Sequence, residues 1–213
     1  MMELYGYWRS SASFRVRLGL AFKQCDYTYH PVHLVKDGGE QHSEAYRKLN
    51  PSELVPTLID GDVKLNQSLA ILEYLDDCYP DNPLLPTEHV AKAQVRALAY
   101  DLACELQPVT NLRVLQYLTG TLKCSDEQKV EWIHHWVTKS FTAFEQRLAD
   151  YAGDYCFGNS VTLADICLLP QVYNALRFNV PLDDYPNLVR VHSNLLKLDA
   201  VQQALPENQP DAQ

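Results

Sequence analysis

The sequence predicts two domains: an α/β domain first and an all-helical domain after it. Three observations lead there. Strand-like segments alternate with helix-like ones only within the first 79 residues. Tyr79-Pro80-Asp81-Asn82-Pro83-Leu84-Leu85-Pro86 then carries three prolines and no periodicity, so residues 80–87 read as a linker. Beyond it strand signals nearly vanish, and residues 88–213 are expected to form a helical domain rich in Leu and Ala.

The first domain can be justified element by element. Residues 3–7 place aromatic side chains two apart and read as a strand. Residues 11–23 carry Val16, Leu18, Leu20 and Phe22 and suit a helix packed on a sheet. Residues 27–32 are rich in strand formers. Lys36-Asp37-Gly38-Gly39 has turn chemistry, and residues 40–49 are expected to be a short helix ended by Asn50-Pro51. Residues 55–65 read as two strands around Asp60-Gly61-Asp62, with Pro56 at a strand start, where a cis bond is possible. Leu69, Ile71, Leu72 and Leu75 give an amphipathic helix to about Cys78, with Ser68 as an expected N-cap. The order β-α-β-α-β-β-α is a thioredoxin-like topology.

In the second domain, residues 88–120, 125–151, 162–178 and 186–204 show helical spacing. Thr162 and Asp165 have the spacing of a capping box, and Val161 with Ile166 that of a hydrophobic staple. Asp165 is therefore assigned to folding rather than catalysis. The polar stretch 206–213 is expected to fray.

Composition excludes several classes of function. The formal charge of −9 argues against nucleic-acid binding and against a basic membrane surface. No apolar run is long enough to span a bilayer, and no secretory signal is legible. The six cysteines form no Cys-x-x-Cys pair and no metal-ligand spacing, so reduced, mostly buried thiols in a cytoplasmic protein are expected. No metal site is expected among the dispersed histidines either.

Chemistry concentrates at Trp8-Arg9-Ser10-Ser11-Ala12-Ser13-Phe14-Arg15-Val16-Arg17. A strand that enters a helix through this polar turn leaves backbone N–H groups and a positive dipole end at one point. That point suits a thiolate, carboxylate or phosphate. A plain helix cap by Ser10 or Ser11 is the structural alternative, and both can hold at once.

The run from Arg9 to Leu18 resembles the signature of the zeta-class glutathione transferases. Asn50-Pro51, Val55-Pro56-Thr57-Leu58, Gln67-Ser68-Leu69-Ala70-Ile71, Gln107-Pro108, Asn111-Leu112 and the stretch from Pro170 to Phe178 extend the resemblance over nearly the whole chain. It implies the cytosolic glutathione transferase fold, glutathione as cofactor, a homodimer, and glutathione-dependent cis–trans isomerisation of an enediketone acid in tyrosine and phenylalanine catabolism. It also implies residue roles. Ser10 would hydrogen-bond the glutathione sulfur. Val55, before a cis Pro56, would offer backbone groups to the cysteinyl part. Gln67 and Ser68 would hold the γ-glutamyl carboxylate, and Gln41 the glycyl end. Gln107 and Asn111 would approach from the helical domain.

The family usually has cysteine where this chain has Ala12, which leaves Ser10 and Ser11 as the hydroxyls at the helix head. Arg9 and Arg177 are the arginines expected to grip a dicarboxylic or keto-acid substrate, because a guanidinium pairs with a carboxylate as a fork. Arg15 and Arg17 are expected to be structural or surface residues. Maleylpyruvate isomerisation, or thiolate attack on small α-halo acids, is the alternative within the fold. A glutathione-binding protein without turnover is the alternative from another class, favoured by Ala12. Thiol–disulfide exchange would need a cysteine at the head of the first helix, which is absent.

Overall fold

A computed structural model describes Met1–Gln213. The chain forms two compact units, Met1–Pro83 together with Lys197–Gln213, and Leu84–Leu196.

In the first unit the elements are β1 (Met2–Gly6), α1 (Ser11–Phe22), β2 (Tyr27–Pro31), α2 (Glu44–Leu49), β3 (Thr57–Asp60), β4 (Val63–Asn66) and α3 (Ser68–Cys78). The sheet order is β2-β1-β3-β4. β1 runs parallel to β2, and β3 runs antiparallel to both β1 and β4. Leu4 and Leu58 of the sheet, Val16 and Leu20 of α1, and Ile71 and Leu75 of α3 make the apolar core. α1 lies so close to α3 that a Cβ on Gly19 would overlap Leu72, which explains a glycine in mid-helix. At its far end, Lys23 donates to Asp76 at 2.6 Å and to the carbonyls of Tyr79 and Asp81, tying α1 to the end of α3.

Two expectations for this unit are corrected. The helix expected over residues 40–49 is a single 3-10 turn, Glu40–His42, followed by α2. Ser43 separates them: it is extended, and its hydroxyl caps α2 by accepting from the Tyr46 N–H at 3.2 Å. Ser68 is not an N-cap. It is the first residue of α3, and the cap position belongs to Gln67, which makes no side-chain capping bond.

The second unit is helical: α4 (His89–Tyr100), a π-turn (Asp101–Leu106), the single turn α5 (Gln107–Val109), α6 (Leu112–Gly120), α7 (Asp126–Tyr151), α8 (Leu163–Arg177) and α9 (Pro186–Leu195). The periodicity over residues 88–120 thus hides breaks. Pro108 has no N–H to continue the ladder, and the Gln107 N–H bonds five residues back to Leu102. The capping box at α8 is present. Asp165, fully buried, accepts from the Thr162 N–H at 2.8 Å, the Thr162 hydroxyl at 2.9 Å and the Cys156 N–H at 2.8 Å. Burial pushes its pKa up, while these donors pull it down.

The segment from 197 onward departs most from expectation. α10 (Asp199–Ala204) is separate from α9 and packs on α1 in the first unit. Residues 206–213 are not frayed. Pro206–Asn208 form a 3-10 turn, Gln209 is buried and its amide donates to the Gln203 and Leu205 carbonyls, and Asp211 hydrogen-bonds Trp8. Periodicity alone could not separate α9 from α10, because both are apolar along one face.

All six cysteines are free, but only Cys156 and Cys167 are buried, while Cys78 and Cys104 are exposed. No group of histidine, cysteine, aspartate or glutamate side chains could hold a metal ion. No helix is long and apolar enough to cross a membrane.

Candidate functional site

Strand directions gather the predicted residues of the first unit at one edge of the sheet. Parallel pairing puts the C-terminal ends of β1 and β2 together, with Gly6 opposite Pro31. Antiparallel pairing puts the start of β3 at that same edge, with Thr57 opposite Tyr5 and opposite Asn66 at the end of β4. The Ser10 turn, the 32–43 loop, Val55-Pro56 and Gln67-Ser68 therefore all leave the sheet from one end. Ligands of open α/β sheets collect at such an end.

The turn after β1 is closed by the Ser10 N–H donating to the Tyr7 carbonyl at 3.0 Å. Ser10 caps α1: its Oγ accepts from the Ser13 N–H at 3.2 Å. That cap uses an oxygen lone pair and does not spend the hydroxyl proton. Ser11 is buried as the first residue of α1, and Ala12 is half-buried. Ser13, wholly buried, accepts from the Tyr7 N–H at 3.3 Å and stiffens the turn from within. The Arg9 guanidinium lies over the Trp8 indole at 4.8 Å and donates to the Tyr7 hydroxyl at 3.2 Å. It is thus pre-oriented on an aromatic platform.

Val55-Pro56 is a cis peptide ahead of β3, and Val55 itself adds no rung to the ladder. Gln41 is only 7 % exposed. Its amide nitrogen reaches the Leu34 carbonyl at 3.4 Å, while its Oε1 is buried without a partner. Gly39, at φ +104°, makes room for that amide. Gln67 has φ +67°, a costly conformation for a non-glycine residue. The N-terminus of α3 that it opens carries no side-chain cap.

The residue that the sequence reading undervalued is Arg15. It is 3 % exposed, and its Nε donates to the Ser68 hydroxyl at 2.9 Å. A buried guanidinium thus stands beside the uncapped start of α3, where helix dipole and fixed charge both favour an anion. Arg17 is also buried, and it is structural: it donates to the carbonyls of Trp8 at 2.9 Å and Ala204 at 3.1 Å. Burial lowers its pKa. The alternation of Arg15 and Val16 on a short helix gave little sign of this, since arginines on helices are mostly exposed.

Gln107, Asn111 and Arg177 belong to the other compact unit. Gln107 follows the π-turn and opens α5. Asn111 caps α6, its Oδ1 accepting from the Arg113 N–H at 3.1 Å. Arg177 is the exposed last residue of α8, with its guanidinium 4.7 Å from the Phe178 ring centre.

A thioredoxin-like unit with a serine at the head of its first helix, a cis proline and an uncapped α3, joined to a helical unit, defines the class of glutathione transferases. Known proteins agree. Residues 4–83 match the glutathione S-transferase N-terminal domain family, and residues 114–207 match the C-terminal domain family. A probable maleylacetoacetate isomerase of Vibrio cholerae is 53 % identical over 209 residues, covering 98 % of this chain and 97 % of that one. A holo maleylpyruvate isomerase structure, described as a bacterial zeta-class glutathione S-transferase, superposes with TM-score 0.96 at 40 % identity, covering 99 % of this chain and 100 % of the other. A maleylacetoacetate isomerase from Methylobacterium extorquens, solved with bound malonate and glutathione, superposes with TM-score 0.94 at 37 % identity, each chain 99 % covered. The chain belongs to the glutathione S-transferase family and, within it, to the zeta class with the maleylacetoacetate isomerases.

Proposed function

We propose that this chain is a glutathione-dependent cis–trans isomerase that converts maleylacetoacetate to fumarylacetoacetate. The observation that carries the reading is the 53 % identity to a probable maleylacetoacetate isomerase along essentially the full length of both chains. The reading includes a homodimer, a cytoplasmic location and a place in tyrosine and phenylalanine catabolism, all on the family resemblance.

The residues present fit glutathione. The uncapped start of α3, with Gln67, Ser68 and the buried Arg15 beside it, suits the γ-glutamyl carboxylate. Val55 beside Pro56 offers its backbone to a strand-like peptide. The orphaned Oε1 of Gln41 offers an acceptor to the glycyl N–H. Gln107 and Asn111 are taken as contributions of the helical domain. In this assignment residues 1–79 are the glutathione-binding domain, 80–87 the linker, and the helical domain begins at 88.

When bound, glutathione supplies a thiolate whose addition makes the conjugated double bond transiently single, and whose departure after rotation restores it. Ser10 donates its hydroxyl proton toward the sulfur, and the α1 N-terminus adds its positive end, so the thiolate is favoured over the thiol. Ser11 adds a second hydroxyl at the helix head. Arg9 and Arg177 pair with the carboxylates of the acid and balance the negative charge that develops on its carbonyl oxygen.

The test is to mix the protein with maleylacetoacetate, with and without glutathione, and follow loss of the cis acid. Glutathione-dependent loss is expected. No loss, with glutathione still binding by calorimetry, would sink the isomerase reading in favour of α-halo acids or a binding protein. Maleylpyruvate is a second substrate to try, because a maleylpyruvate isomerase superposes at TM-score 0.96.

A further inference from the structure

The Trp8 backbone is held at both its N–H and its C=O, the first by a residue 203 positions away. Its N–H donates to Asp211 Oδ2 at 3.1 Å, and its C=O accepts from Arg17 Nη2 at 2.9 Å. Arg17 also donates to the Ala204 carbonyl at 3.1 Å, so both holds lead into the segment after residue 196. The Tyr29 hydroxyl donates to the same Asp211 oxygen at 3.3 Å, and burial, with Asp211 beside it, raises the Tyr29 pKa. The other Asp211 oxygen, Oδ1, is buried without a partner.

That is an uneconomical way to stabilise a fold. A buried carboxylate oxygen with no donor carries a desolvation cost that an apolar residue would avoid. The nearby positive charge of Arg17 offsets part of it. What the carboxylate achieves is local: together with Arg17 it fixes the Trp8 backbone, from which the indole beneath Arg9 projects. Arg9 stacks on that indole at 4.8 Å. The segment also reaches His33, which faces the Tyr7 ring at 5.0 Å, through Gln213 at 3.4 Å. Tyr7 is the second face of the Arg9 platform, with its hydroxyl accepting from Arg9.

We infer that Asp211 is a positioning residue for the reaction: by pinning the Trp8 peptide it holds Arg9 in the orientation that receives the carboxylate of the acid substrate. The inference rests on the isomerase reading and on the role given there to Arg9. Asp211 itself touches no reacting atom. It acts through the backbone of Trp8.

The test compares wild type with Asp211→Ala and Asp211→Asn. Three quantities are read: the KM for maleylacetoacetate, glutathione affinity by calorimetry, and hydrogen exchange of the Trp8 amide. Losing a charge-assisted bond should raise the acid KM about 10-fold and speed Trp8 amide exchange by a similar factor in Asp211→Ala. Glutathione affinity should stay within about twofold, because Ser10 keeps its own cap at α1. Asp211→Asn retains an acceptor and should recover most of both losses. Faster Trp8 exchange with an unchanged acid KM would overturn the inference. So would equal losses in acid KM, glutathione affinity and melting temperature that asparagine does not rescue, since those mark a merely structural residue. If wild type turns over no acid, the isomerase reading fails first. Unchanged Trp8 exchange in Asp211→Ala then refutes the pin independently.

Discussion

Arg15 and Ser68, far apart in sequence, meet in the interior: the guanidinium Nε of Arg15 donates to the Ser68 hydroxyl at 2.9 Å. The bond joins the helix that carries Ser10 to the helix whose bare N-terminus suits an anion. It sets a permanent positive charge beside that N-terminus, and the Ser68 hydroxyl oxygen accepts its hydrogen bond.

Ser68→Ala should therefore weaken both fold and binding. It leaves a buried guanidinium nitrogen without its acceptor, at about 1–3 kcal/mol. Glutathione affinity should fall about 10-fold, the equivalent of ~1.4 kcal/mol. Urea denaturation and calorimetry read the two effects, and a variant unchanged in both would remove Ser68 from the site.

Gly39→Ala tests the seat of Gln41. At φ +104° any Cβ is strained, and here it would lie 2.5–2.8 Å from the Gln41 side-chain amide. The strain costs about 1–3 kcal/mol. Displacing Gln41 should also weaken glutathione binding severalfold, whereas binding of γ-glutamylcysteine, which lacks the glycine, should be nearly unaffected. Equal weakening of both ligands would contradict the placement of Gln41 at the glycyl end.

Asp165→Ala should destabilise without touching chemistry. It removes the acceptor of three buried donors, the Cys156 N–H, the Thr162 N–H and the Thr162 hydroxyl. A loss of about 2–4 kcal/mol in unfolding free energy is expected. Turnover per folded molecule should be retained, and its collapse at full foldedness would reopen a catalytic role.

Acid sensitivity should run in part through His192. Burial lowers its pKa, so the fold favours the neutral imidazole. Its contribution to stability is complete above the unfolded value of about 6.5 and is lost as pH falls through the lowered folded value. His192→Gln should flatten the decline of the urea midpoint below pH ~6.5, relative to wild type. Parallel curves for the two proteins would exclude His192 as a source.

Much was legible in the sequence because it is encoded within a few residues. The strands and helices of the first unit follow from periods of two and about 3.6. The capping box needs only Thr162 and Asp165 three apart. Ser10 at the head of α1 and Gln67-Ser68 at the head of α3 could be placed for the same reason.

What local pattern determined, then, is the order of strands and helices in the first unit, the starts of α1, α7 and α8, and the polar residues that stand at them. Only tertiary structure decided that Arg15 belongs to Ser68, that Arg17 is buried between Trp8 and Ala204, and that residues 197–213 complete the first unit. A polar segment reads as loose in sequence because its hydrogen-bond partners are invisible there. Asp211 looks like a solvated carboxylate until the fold brings it to the Trp8 N–H, two hundred and three residues away.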